Sequence, residues 1–202
     1  MGARAVASDR FISVARAGAR EAVSRRLAVV AAREIARVQA DCSPDATVIF
    51  VDGREGAAID TVQRIVHARF SYMTKVVVAA LQTLRDTSPV KSGAYQAGHQ
   101  TFVDGELTTD PATIAKARRV VISDSVPYAR VIEIGRGKRK PFSKQPQVPA
   151  EGPYHSAARA LQRRFGHLAN IAFDWVGIDE GAVVGGSGTR SLRYPCVTIE
   201  AR

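Results

Sequence analysis

Cysteine is almost missing from this chain: Cys42 and Cys196 are the 2 among 202 residues. Neither has a second cysteine nearby to make a zinc knuckle or a CxxC redox pair, so a disulfide scaffold and a zinc finger are both excluded. His67, His99, His155 and His167 never fall at ligand spacing such as HxxxH, and they form no metal motif with the cysteines. No apolar run approaches the roughly 20 residues needed to span a bilayer. The basic N-terminus lacks the apolar stretch and small-residue cleavage site of a signal peptide. The expectation is a soluble chain, intracellular when made, with no membrane partner. Internal repeats are absent. Acidic side chains are also short in supply: 19 Asp plus Glu face 29 Lys plus Arg, a net charge of +10 and a pI near 10.2.

That imbalance favours an acidic partner, either nucleic acid or protein, and it is unevenly spread. Residues 1–40 carry Arg4, Arg10, Arg16, Arg20, Arg25, Arg26, Arg33 and Arg37 against Asp9, Glu21 and Glu34. Residues 130–170 are also strongly basic, whereas 41–110 are net acidic. With 46% apolar residues, the chain can bury the core of one domain and carry an appendage.

Periodicity divides the chain further. From Ser8, read as an N-cap, to Ala40, apolar residues including Ala19, Val23, Leu27, Val30, Ile35 and Val38 recur at near-helical spacing, with Arg16, Arg20, Arg33 and Arg37 off the stripe. Thr47–Val51, closed by Asp52-Gly53, reads as a short strand. Ile59, Val62, Val66, Phe70, Met73, Val77, Leu81 and Leu84 predict one long helix over 57–86. Pro89 ends it and Gly93 supplies a positive φ in the turn beyond. Residues 94–103 and 119–123 read as strands joined by a long polar loop. Residues 136–149 read as a basic loop. A third helix is predicted over 153–165, with Pro153 in its first turn. Strands over 171–178 and 194–199 flank a glycine-rich hairpin loop. The fold class is α+β: a mixed or antiparallel sheet packed against a long helix, with an added N-terminal amphipathic helix. The division expected is an N-terminal helix (1–44), an α+β core (45–166) and a C-terminal β extension (167–202).

One ordered set of residues carries a resemblance. A helix ending in Ser88-Pro89-Val90-Lys91-Ser92-Gly93 precedes a strand pair. Tyr128-Ala129 with Val131, Glu133 and Gly135 follows, then Pro141-Phe142 and a helix containing Ala157. Over about residues 57–166 this resembles the HK97 gp10-like and minor tail protein Z-like family, the head-tail joining or tail completion proteins of long-tailed bacteriophages and prophages. Tyr95 departs from the family's usual aliphatic residue after the glycine.

The resemblance implies a virion protein at the head-tail interface, present in the host cytoplasm during assembly. It implies a homo-oligomeric ring, sixfold or alternatively twelvefold, between the neck or connector and the tail tube or terminator. Double-stranded DNA would pass through its channel without sequence-specific recognition. No cofactor, metal or catalytic residue is expected.

Pro89, Gly93, Tyr128 and Gly135 are read as fold-making positions, with Tyr128 anchoring a strand end in the core. Glu133 is read as accepting bonds from turn backbone or pairing with an Arg of a neighbouring copy. No second carboxylate or His at fixed spacing supports acid-base work. Arg136, Lys138, Arg139, Lys140 and Lys144 form a solvated loop, an arm that orders on docking to an adjacent ring, or a contact to DNA phosphates. With Arg16, Arg20, Arg33 and Arg37 they are the interface candidates. A DNA-binding protein using the N-terminal Arg helix and the 136–144 loop is the alternative reading. Gly185–Ser191 lacks GxxxxGK[ST] and is no phosphate loop. His155 beside Ser156 is no triad.

Overall fold

The computed structural model describes residues 3–134, 148–179, 182–184 and 193–201, with side chains from Gly18 onward, Asp179 and Val184 excepted. The chain forms two compact units, residues 1–70 and 71–202.

In the first unit, helix α1 (Ala3–Cys42) runs through Ser8, so the expected N-cap is an interior helical residue. Its packed face carries Ser24, Leu27, Ala31, Ile35 and Val38. The Ser24 hydroxyl donates to the Val62 carbonyl. Val23 and Val30, placed by periodicity on the same stripe, stay 64% and 44% exposed. Strand β1 (Ala46–Val51) turns through Asp52 and Gly53 into β2 (Arg54–Glu55). Both turn residues have positive φ, 50° and 84°, the pattern that matches the right-handed twist of a two-residue hairpin. A 3-10 turn (Ile59–Thr61) follows, then β3 (Val66–Ser71), giving a sheet ordered β2-β1-β3.

The helix predicted over 57–86 is therefore corrected: its first half is a 3-10 turn and a strand. Val66 and Phe70 are four apart, a spacing that satisfies both the helical period and the strand period of two. The Asp52 carboxylate decides between them. It accepts the N–H groups of Gln63, Arg64 and Ile65 at 2.7, 2.9 and 2.9 Å, and these bonds fasten the backbone just before β3 to the β1–β2 turn.

In the second unit, α2 (Met73–Thr87) buries Met73, Val76, Val77, Ala80 and Leu84 along one stripe. A β-branched residue costs a helix at most about 0.7 kcal/mol, whereas burying a valine side chain contributes roughly 1.5 kcal/mol or more. Packing therefore wins at Val76 and Val77, whereas Val78 stays 60% exposed. The helix ends at Ser88, whose ψ of 147° is the extended conformation imposed before Pro89. Gly93 adopts φ 76° and opens a single turn, α3 (Ala94–Ala97), so the strand expected from residue 94 starts only at β4 (His99–Val103). Ala-Tyr-Gln-Ala has no β-branched residue to favour extension, and the Gln96 amide donates to the Arg85 carbonyl at 2.9 Å.

The expected polar loop contains β5 (Glu106–Leu107) and α4 (Pro111–Lys116). Asp110 caps α4 by accepting the N–H groups of Ala112 and Thr113. Beyond lie β6 (Arg119–Asp124), α5 (Ala129–Ile134), α6 (Pro153–Phe165), β7 (Ala169–Asp179), β8 (Ala182–Val184) and β9 (Arg193–Ala201). Residues 129–134 are helical, which overturns the reading of Tyr128 as a strand-end anchor: Ala129, Ile132 and Glu133 point inward.

The strands close into an antiparallel barrel ordered β4-β5-β8-β7-β9-β6. One face of these strands carries Val103, Val120, Ile122, Ile171, Val197 and Ile199, which pack with the buried stripes of α2, α5 and α6. Their other face holds a second cluster, Phe102, Val121, Val176 and Cys196. The protein is thus α+β, with an antiparallel sheet as expected and, packed against it, a helix α2 that forms only the second half of the one predicted.

Candidate assembly surfaces and the buried polar network

Glu133 sits on the inward side of α5 at 5% exposure. Its carboxylate accepts the backbone N–H of Tyr154 at 3.0 Å and of His155 at 2.8 Å, two of the open donors in the first turn of α6. Burial pushes its pKa up to about 7, against the lowering effect of those two bonds. Gly152 makes the approach possible: its φ is 92°, and a Cβ there would lie 2.5 Å from the Glu133 carboxyl carbon. Of the two roles expected for Glu133, backbone acceptance is the one its geometry displays. The backbone involved is the helix start, a donor set 21 and 22 residues away that spacing could not reveal.

A second buried network escaped the sequence reading altogether. His99 Nε2 lies 2.9 Å from Ser88 Oγ, and His99 Nδ1 lies 2.8 Å from the Tyr154 hydroxyl and 3.8 Å from Asp124 Oδ2. Ser88 and Asp124 are fully buried, as is the His99 side chain. These residue types match a hydrolase triad, but the protons run the other way: the Ser88 hydroxyl donates to the Leu84 carbonyl at 2.5 Å. His99 Nε2–H then donates to Ser88 Oγ, and Nδ1 accepts from Tyr154. Burial, and next the Arg85 charge, pull the His99 pKa down to about 4, so the ring is neutral near pH 7. Burial pushes Asp124 up to about 6, against the lowering bond from the Val126 N–H at 2.9 Å. Among the described residues, Asp124 Oδ2 and the Tyr95 hydroxyl have no hydrogen-bond partner. This network joins the end of α2, the start of β4, the end of β6 and α6. One sequence signal pointed to it, the glycine beside His99: a Cβ on Gly98 would lie 2.5 Å from Asp124 Oδ1.

Tyr95, the departure from the family pattern, is 2% exposed. Its ring edge meets His99 at 5.3 Å and its face stacks on Tyr128 at 6.4 Å. Tyr95 therefore fills the aromatic core position expected of Tyr128, which remains 41% exposed.

No family model, curated protein or solved structure matches the chain. Its functional reading therefore rests on its own surfaces. Tyr128, Val131 and Ile134 are 41%, 46% and 51% exposed and recur every third residue, forming an outward apolar stripe along α5. On α1, Val23, Val29 and Val30 are 64%, 69% and 44% exposed. Arg20 and Arg26 are exposed beside Val23 and take part in no ion pair among the described residues, whereas Arg33 and Arg37 both reach Glu34. The Arg16 side chain lies outside the described residues, as do Gly135, Arg136, Lys138, Arg139, Lys140, Lys144 and the 185–191 loop. Among the described residues no group of three metal-ligating side chains comes together, and no helix is long and apolar enough to cross a membrane.

Proposed function

We propose that this chain is a structural virion protein of a tailed bacteriophage or prophage. It acts as a head-tail connector, neck or tail completion subunit that works by assembly and makes or breaks no bond. Copies form a ring, sixfold or alternatively twelvefold, between the capsid-side connector and the tail tube or terminator, with DNA passing through the channel. The subunit occupies the virion's head-tail interface, and the host cytoplasm during assembly.

The observation that carries the reading is the apolar stripe Tyr128, Val131 and Ile134, left open beside a closed barrel. A closed barrel has no free strand edge for pairing with another chain, so copies of this unit associate through helices and turns. The order of the resemblance supports the same reading. Ser88 to Gly93 joins α2 to the barrel, Tyr128 to Glu133 takes in two of the three stripe residues and the buried tether, and Ala157 is buried in α6. Electron microscopy of the purified protein and of tailed particles carrying a label on it tests the proposal. Rings and a head-tail location are expected, and absence from mature particles would overturn it. The net charge of +10, with Arg20 and Arg26 of α1 in no ion pair among the described residues, favours DNA binding as the second reading. Steeply salt-dependent binding of the isolated chain to duplex DNA is its signature.

A further inference from the structure

Helix α6 and strand β7 lie side by side in opposite directions. Two contacts fix their alignment: the Gln162 side-chain carbonyl accepts the Ile171 N–H at 2.6 Å, and the His155 ring meets Phe173 at 5.2 Å with the planes 61° apart. Between them is a cleft of about 460 Å³, with Ala158, Ile171 and Phe173 on its floor and His155, Arg159 and Arg163 along the α6 side. The aromatic surface continues beyond it. Ile171, Phe173 and Trp175 alternate onto the helix-facing side of β7, and Trp175 meets Phe173 edge to face at 5.5 Å. The Arg130 guanidinium of α5 lies over the Trp175 ring, 5.7 Å from its centre. His155, Phe173 and Trp175 are only partly buried, and Arg130, Arg159 and Arg163 are exposed. One strip thus has rings in its middle and guanidinium groups at both ends.

Acidic side chains scarcely answer this charge. Glu151 lies 2.6 Å from Arg159 and 3.8 Å from His155. All three side chains are more than a third exposed, so this pairing is weak and replaceable. Arg130 and Arg163 take part in no ion pair among the described residues. Asp174 belongs to the other face of the sheet, where its register partner Cys196 joins the second cluster.

Arginines beside accessible rings are the combination that tracks a phosphate backbone while stacking its bases. The spacing suits a repeating ligand. Arg159 and Arg163 are one helical turn apart, about 6 Å at roughly 1.5 Å per residue, and Phe173 and Trp175 are two strand residues apart, about 6.6 Å. Charges and rings therefore advance by nearly equal steps. An acidic peptide would engage the arginines and leave the rings idle, and the bases of a duplex are already stacked on one another. We infer that this strip binds single-stranded nucleic acid, with bases on Phe173 and Trp175 and phosphates against Arg130, Arg159 and Arg163. The exposed contact of Arg130 with Trp175 is weak enough to exchange for a phosphate. The strip shares no residue with α1 or with the Tyr128, Val131 and Ile134 stripe, so the inference does not depend on the ring.

Trp175 is the only tryptophan of the chain, so its fluorescence reports on the strip directly. The full chain is titrated in parallel with thymidylate and uridylate oligomers. Quenching by either supports the site, and the tighter of the two identifies the nucleic acid. Three phosphate contacts give an expected slope of log affinity on log salt of about −2, at about 0.7 per contact. Arg163→Gln is expected to reduce that slope by about 0.7, and Phe173→Leu to weaken binding at least fivefold, with circular dichroism confirming the fold. Arg163→Gln, on an exposed position, decides the matter if Phe173→Leu fails to fold. Arg20→Gln with Arg26→Gln, which tests the α1 footprint, is expected to leave the quenching unchanged. The inference is overturned by an absence of quenching with both oligomers, by equal quenching with a duplex or a polyglutamate peptide, or by unchanged binding in Arg163→Gln. Each of those results leaves the ring standing.

Discussion

Replacing Glu133 by Gln tests the tether between α5 and α6, because glutamine keeps the shape of the side chain and removes its charge. The carboxyl group has a pKa of about 7 in the fold against 4.5 in an unfolded chain, with burial as the main cause. A folded value above the unfolded one means that its contribution to stability is fully present below about pH 4.5. It is lost as pH rises through about 7. At about 1.4 kcal/mol per tenfold change in proton affinity, that loss is of the order of 3 kcal/mol. Two neighbours titrate differently. Asp124 has the same sign in a lower window, between 3.8 and about 6. His99 has the opposite sign, its contribution being lost as pH falls from 6.5 through about 4. Wild type minus variant isolates Glu133. Urea unfolding at pH 4.5, 6 and 8, read from the fluorescence of Trp175 on β7, should find Glu133→Gln gaining about 3 kcal/mol relative to wild type between the first and last pH. Parallel stability curves for the two proteins would refute the reasoning.

Gly152→Ala should lose about 2–4 kcal/mol in the same assay, because it combines a positive φ with a clash against Glu133 and disturbance of the α6 start. Leu84→Ala should lose about 2–5 kcal/mol, since Leu84 is fully buried in the helix-sheet core, whereas Val78→Ala at 60% exposure should stay within about 0.5 kcal/mol. A chain lacking residues 136–144 should fold as wild type by circular dichroism and fail to join heads to tails in an in vitro assembly assay. Normal infectious particles from it would remove the docking-arm role of the basic loop.

Elements whose signal is local were legible in the sequence. Residues 153–165 read as a helix because Pro153 opens it and its apolar and arginine faces separate cleanly. Asp52-Gly53 and Asp104-Gly105 marked strand ends because few other pairs accept two positive φ values in succession. The stop at Ser88-Pro89 followed from proline sterics alone. Where two periods coincide, as from Val66 to Phe70, the pattern alone did not choose, and the choice came from Asp52 bonding across 11 to 13 residues. The helical state of 129–134 likewise depended on which of its residues could be buried. The Glu133 tether, the sealed Ser88–His99–Asp124 network and the closure of the barrel join segments 11 to 81 residues apart. Spacing along a chain carries no record of such meetings, because they are set by how the barrel closes and how the helices lie against it.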